Sequence, residues 1–339
     1  MRFSILLVAA AAIGAAPPSA ADRFSEAIGG ALQADGLRAL KALDGVDLSV
    51  LPERDRVAAA CMRERFKPES RPAAAASGSS LADRALGIYR AYWHRAMIQP
   101  DRRDTEEQLL EAQLRKLLGA PPGTDLDALE FILSSKLKDE GVHSLQGRTG
   151  LLRELMTWSK QEERVMHAQL PEGEHDVTVF LLDRFTSLGW GAYATCNRAS
   201  TGGWATDKAL FAVVPKYSSL DDEEFRVTFL GHEAQHFADK LRYKGLKPWE
   251  LEYRAKLTEL AQANRTRAKV VGKFLNDQGD DPASPHSYAN RKVLTDMANR
   301  LRLASPQELS SADFAQVQSA AVDLLREDSA RRKTQAERG

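Results

Sequence analysis

The run His232-Glu233-Ala234-Gln235-His236 restricts this chain more than any other feature. Two histidines four residues apart face the same way on an α-helix, where positions i and i+4 lie one turn apart. The flanking residues support that helix. Ser218-Ser219 offer a capping residue, and Asp221-Asp222-Glu223-Glu224 supply an acidic first turn. Phe225, Phe229, His232 and His236 then follow at four-, three- and four-residue steps, beside a second stripe of Leu230, Ala234, Phe237 and Leu241. A helix apolar on two sides is mostly buried, and buried imidazoles need partners.

On such a helix both imidazoles reach one metal ion, and neutral imidazole is a good zinc ligand. Glu233 projects near enough to act as general base on a water held there. With seven histidines in the chain, a chance match to this pattern is on the order of one per cent. A catalytic zinc also requires a third protein ligand and an open position for water. After His236 no histidine occurs until His286, but a second helix is expected from Pro248 to about Ala263, carrying Glu250, Glu252 and Glu259. Glu250 falls in the first turn after Pro248, where the helix start already explains a carboxylate. Glu252 and Glu259 are seven residues apart and share nearly one face.

The segment from about 210 to 263, roughly a sixth of the chain, resembles the active-site region of zinc metallopeptidases of the zincin group. Leu230, Ala234, Gln235 and Phe237 match that group's uncharged positions around the motif, and Phe229 is a mild departure. The third histidine of the metzincin extension is absent, which leaves the gluzincin branch, where the ligand is a glutamate on the following helix. Glu252-Tyr253-Arg254-Ala255 is similar to the Glu-x-x-Ala stretch around that ligand. The resemblance therefore implies Zn2+ held by His232, His236 and Glu252, with Glu259 and Glu250 as rivals. Lys256 departs from the aspartate that many gluzincins place four residues after the ligand to orient a zinc histidine. Glu259 can take over that task. The resemblance also implies an oxyanion stabiliser, for which Arg254, His286 and Tyr288 are the candidates, and an exposed substrate-binding strand at 210–214, a run that reads equally well as an ordinary core strand.

The rest of the chain sets the context. Arg2, a short apolar run with alanines, and Pro17-Pro18-Ser19-Ala20-Ala21 form the three parts of a secretory signal peptide over 1–21, with cleavage near Ala20 or Ala21. The apolar run falls short of the ~20 residues a membrane span needs, and no later segment reaches that length. The expected location is the periplasm or the exterior. Cys61 and Cys196 can form one long-range disulfide there, or remain two buried thiols. Residues 22–170 read as a helical N-terminal region with a linker near 68–80, and 151–166 suit one packed helix face. Short β-branched or small-residue runs at 176–182, 191–196 and 210–214 read as strands. Helices follow to a charged tail, 331–339, expected to fray. The fold class is α+β, predominantly helical, with a zincin-like domain over 171–330.

Equal counts of 47 basic and 47 acidic residues exclude a general nucleic-acid binder. A hydrophobic fraction of 43% excludes a disordered chain. The expected function is an exported zinc metallopeptidase acting on a peptide or protein substrate, with Glu233 as general base. Two other readings are a non-catalytic helical envelope or binding protein that retains the metal site, and a hydrolase of non-peptide amides or esters.

Overall fold

The computed structural model describes residues 18–70 and 80–338. Most of the expected signal peptide, most of the 68–80 linker and Gly339 lie outside them. The chain begins with α1 (Ala20–Leu32), α2 (Gly36–Leu43), α3 (Glu53–Arg65), α4 (Leu81–Ile98), α5 (Arg103–Leu118) and α6 (Leu126–Asp139). Three strands follow: β1 (His143–Thr149), β2 (Leu152–Leu170) and β3 (Gly173–Leu188). After α7 (Gly189–Ala194) come β4 (Gly203–Ala205) and β5 (Leu210–Val213), and then α8 (Glu223–Phe225), α9 (His232–Arg242), α10 (Pro248–Gln262), α11 (Arg267–Asn276), α12 (Pro285–Leu301) and α13 (Phe314–Arg338). The protein is thus α+β and mostly helical.

It divides into two compact units. The first holds the chain up to Thr157 together with Thr186–Ser200, and the second holds Trp158–Phe185 and everything from Thr201 onward. The divisions fall inside β2 and β3, so no single break near 170 separates an N-terminal helical region from the rest. The expected helix over 151–166 is strand. Leu155, Met156, Thr157 and Trp158 are consecutively buried, and such a run, covered on both faces, carries no period that tells strand from helix.

In the first unit side-chain caps start several helices. Asp35 accepts from the Arg38 N–H at 2.9 Å, and Asp125 accepts from the Ala128 N–H at 2.8 Å. Tyr89, Tyr92 and Trp93 recur at three- and four-residue steps on α4 and point into one core with Met62, Phe66, Leu110, Leu129 and Leu133. Their polar atoms are satisfied as well. Tyr89 donates to Glu130 at 2.8 Å, and the Trp93 indole donates to the Arg153 carbonyl at 2.8 Å. The run 191–196, expected as strand, is helical instead through Ala194. It closes as the Asn197 N–H reaches the Ala192 carbonyl at 2.7 Å. Cys61 and Cys196 are joined by a disulfide, with Cα atoms 6.2 Å apart. That bond ties α3 to the residue two beyond α7.

The sheet among the described residues has the order β1-β2-β3-β5-β4. β5 runs parallel to β3, pairing Val179 with Leu210 and Leu182 with Val213, and antiparallel to β4, pairing Gly203 with Ala212. Of the two readings of 210–214, the sheet order gives the core strand: β5 is interior, and three-residue β4 takes the edge. In the second unit Val179, Leu181, Leu210 and Ala212 project from one face of the sheet onto Phe225, Phe229, Leu230, Ala234 and Ala238. The alternation of β3 and β5 thus meets the apolar stripe of the histidine segment.

α10 is the central helix of this unit, packed against α9, α11, α12 and α13. Every residue from Glu252 to Leu260 on it is buried. Leu257 and Leu260 join Phe274, Val293, Met297, Val317 and Leu325 in a second core. α13 stays helical through Arg338, contrary to a frayed tail. Arg332 in its last turns is anchored to Asp328 at 2.6 Å and to Glu250 at 3.2 Å.

Candidate metal centre

The histidine helix starts later than the serines suggest. Asp222 precedes the first helical turn, and the neighbouring Glu223 reaches across to the chain after α10. Its carboxylate accepts from the main-chain N–H groups of Asn264 at 2.5 Å and Thr266 at 3.0 Å, and from the Thr266 hydroxyl at 2.7 Å. Burial alone would raise its pKa, but these donors hold it at about 2. From Arg226 to Gly231 the helix widens into a π-turn, which leads straight into His232. Gly231 sits where a Cβ would lie 2.9 Å from Gln262 Oε1 and 3.1 Å from the Arg226 carbonyl oxygen. The absent side chain leaves room for the Gln262 side chain at the end of α10 beside the π-turn.

Where α9 meets α10 the three expected ligands converge. His232 and His236 present their Nε2 atoms 3.2 Å apart. Glu252 from α10 places Oε1 3.3 Å from His236 Nε2 and Oε2 3.6 Å from His232 Nε2. Two imidazoles and one carboxylate around a common point are a donor set suited to zinc, and bonds of about 2.0–2.1 Å at tetrahedral angles give ligand separations of about 3.3–3.4 Å. The imidazole–imidazole and His236–Glu252 separations lie close to that figure, and Glu252 meets His232 through its other oxygen, at 3.6 Å. Glu252 Oε2 is buried and accepts no hydrogen bond among the described residues. His232, His236 and Glu252 thus form a group able to hold a metal ion. Burial opposes charge on Glu252, yet the imidazoles of His236, His286 and His232 hold it well below the usual carboxylate range.

The remaining carboxylates separate by role. Glu259, one of the rivals, lies with Oε1 2.6 Å from His232 Nδ1, on the far side of that ring from Glu252. A carboxylate only accepts, so Nδ1 carries the proton and Nε2 keeps its lone pair toward the group. Burial disfavours a charged His232, and the Glu259 carboxylate more than offsets this, raising its pKa. Glu250 is no ligand. It caps α10, accepting from the Lys247 N–H at 2.8 Å, and pairs with Arg332. Glu233 is half-buried beside His232 and takes no hydrogen bond among the described residues.

Of the three oxyanion candidates, Arg254 is engaged elsewhere. It is fully buried and donates at 2.9 Å each to Asp239, Asp328 and Glu172, so its guanidinium is committed to a structural network. Tyr288 packs edge-on against Trp249, with ring centroids 5.2 Å apart. His286 opens α12, is 69% exposed and stands with Nδ1 2.8 Å from Glu252 Oε2, though without hydrogen-bond geometry. Two neighbours of the site went unassigned in the sequence. Tyr217 donates to the Gly202 carbonyl at 3.0 Å, and its pKa is raised by burial and then by the carboxylates of Glu224 and Glu233. Lys256 is buried with Nζ 3.6 Å from Glu252 Oε2. The sequence signal for it was its place one turn after Glu252.

No protein-family model, no curated protein and no solved structure matches this chain.

Proposed function

We infer that the protein is an exported zinc-dependent metallopeptidase. The observation that carries this reading is the convergence of His232, His236 and Glu252 into one group able to hold a metal ion, with Glu233 one residue along α9 from His232. Bound zinc supplies Lewis acidity to a scissile carbonyl and to water. The protein's own groups do the rest. Glu233 takes a proton from the attacking water and returns it to the leaving amine. Glu259 holds the His232 ring in the tautomer that keeps Nε2 free. His286, exposed beside Glu252, is the residue of the three candidates positioned to meet substrate. The Cys61–Cys196 disulfide supports an oxidising compartment, in keeping with the leader at 1–21.

The test is hydrolysis of a peptide library by purified protein, with and without chelator, alongside metal analysis of the parent and Glu233→Gln. The parent should contain stoichiometric zinc and cleave peptides until chelated. Glu233→Gln should retain zinc and lose roughly 10²–10⁴ in rate. Hydrolysis that survives in zinc-loaded Glu233→Gln removes the general base. Zinc uptake by the parent without any turnover leaves a metal-retaining binding protein.

A further inference from the structure

Lys256 has a place in the centre that ligand spacing does not explain. It follows Glu252 by one helical turn, its side chain is 2% exposed, and Nζ lies 3.6 Å from Glu252 Oε2. Its ammonium also sits 5.0 Å from the centre of the Phe274 ring, a favourable but weak contact for a buried cation. A buried charge persists where opposite charges compensate it. Glu252 and Glu259, one on each side of His232 and both buried, supply that compensation.

The charge count gives the consequence. Among the buried groups, two carboxylates and one ammonium leave a single negative charge, where the ligands and Glu259 without Lys256 would leave two; half-buried Glu233 adds the same charge to both counts. A divalent cation is attracted to the second arrangement more strongly than to the first. We propose that Lys256 is an internal counter-cation of the metal centre, whose charge weakens the hold of His232, His236 and Glu252 on a divalent metal ion. This inference rests on the metal-site reading above.

The experiment is zinc affinity of the full chain, read by competition with a chromophoric chelator, for the parent, Lys256→Met, Lys256→Gln and Lys256→Arg. The two neutral variants should bind zinc at least about tenfold more tightly, the scale expected for a unit charge within several ångströms of a divalent ion. Lys256→Arg, which keeps the charge, should stay within about threefold of the parent. A lysine that merely supports packing does not produce tighter binding on removal, so the sign separates the two roles. If Lys256→Met does not fold, Lys256→Gln, with a polar end group, carries the same expectation. Neutral variants that bind zinc no more tightly than a zinc-binding parent overturn the role of Lys256 alone. A parent that takes up no zinc overturns the metal-site reading as well.

Discussion

His232 Nδ1 and Glu259 Oε1 lie 2.6 Å apart between side chains separated by 27 residues, both buried. The contact makes Glu259 the residue that sets which nitrogen of His232 is free. Glu259→Gln removes the charge that favours this tautomer while keeping the size of the side chain. Zinc affinity, read by chelator competition, should fall about 10–100-fold. An affinity equal to the parent's means that packing alone orients the ring.

Arg254 should matter for stability before anything else. Its three carboxylate partners, Asp239, Asp328 and Glu172, come from α9, α13 and the β2–β3 turn. Replacing Arg254 by Met leaves buried Asp239 without a cation among the described residues, while Arg331 and Arg332 still face Asp328 and Arg242 still faces Glu172. Urea unfolding should show a loss of about 3–5 kcal/mol. A loss below about 1 kcal/mol contradicts the structural assignment.

Glu154 gives the first unit a pH dependence. Burial raises its pKa to about 7, although it accepts from the main-chain N–H groups of Trp190 and Leu155, both at 2.9 Å. The folded chain keeps a proton there that the unfolded chain releases near the ordinary glutamate value of 4.5. Stability from this group is therefore full below about pH 4.5 and declines until about pH 7, by roughly 3 kcal/mol. Glu154→Gln should remove that slope from urea midpoints measured across the same range. Identical slopes in both proteins would falsify the assignment.

The disulfide spans 135 residues of sequence. Removing it with Cys61→Ser and Cys196→Ser together should destabilise the first unit by about 2–5 kcal/mol. Denaturation of the parent with and without reductant should show a loss in the same direction. A parent insensitive to reductant, with two titratable thiols, contradicts the bond.

Legibility in the sequence followed the range of the interaction. The spacing of His232 and His236 required a helix, and α9 spans His232–Arg242. Pro248 marks the start of the next helix, and the Glu-x-x-Ala likeness singles out Glu252 on it. The strand at 176–182 is legible because its β-branched residues are a local signal, and β3 covers that run. The strand β2 is not, since its long-range partners β1 and β3 decide its state, and a continuous run of buried residues has no period. Gly191-Ala192-Tyr193-Ala194 read as strand from its small residues, yet the turn is set by the fold of the first unit around Glu154 and Trp190.

By itself, then, the sequence determined the local geometry: two imidazoles on one helix face, a general-base candidate between them, and a nearby helix rich in glutamate. Only the tertiary structure decided what each carboxylate and cation does. Glu252, Arg254, Lys256 and Glu259 lie within eight residues on a helix buried on all sides, so no amphipathic pattern sorts them. The neighbour each one meets does: the two histidines for Glu252, Asp239 and Asp328 for Arg254, Glu252 for Lys256, and His232 for Glu259. Buried charge is stable only beside its complement, and those complements lie on other elements of the fold for all but Lys256.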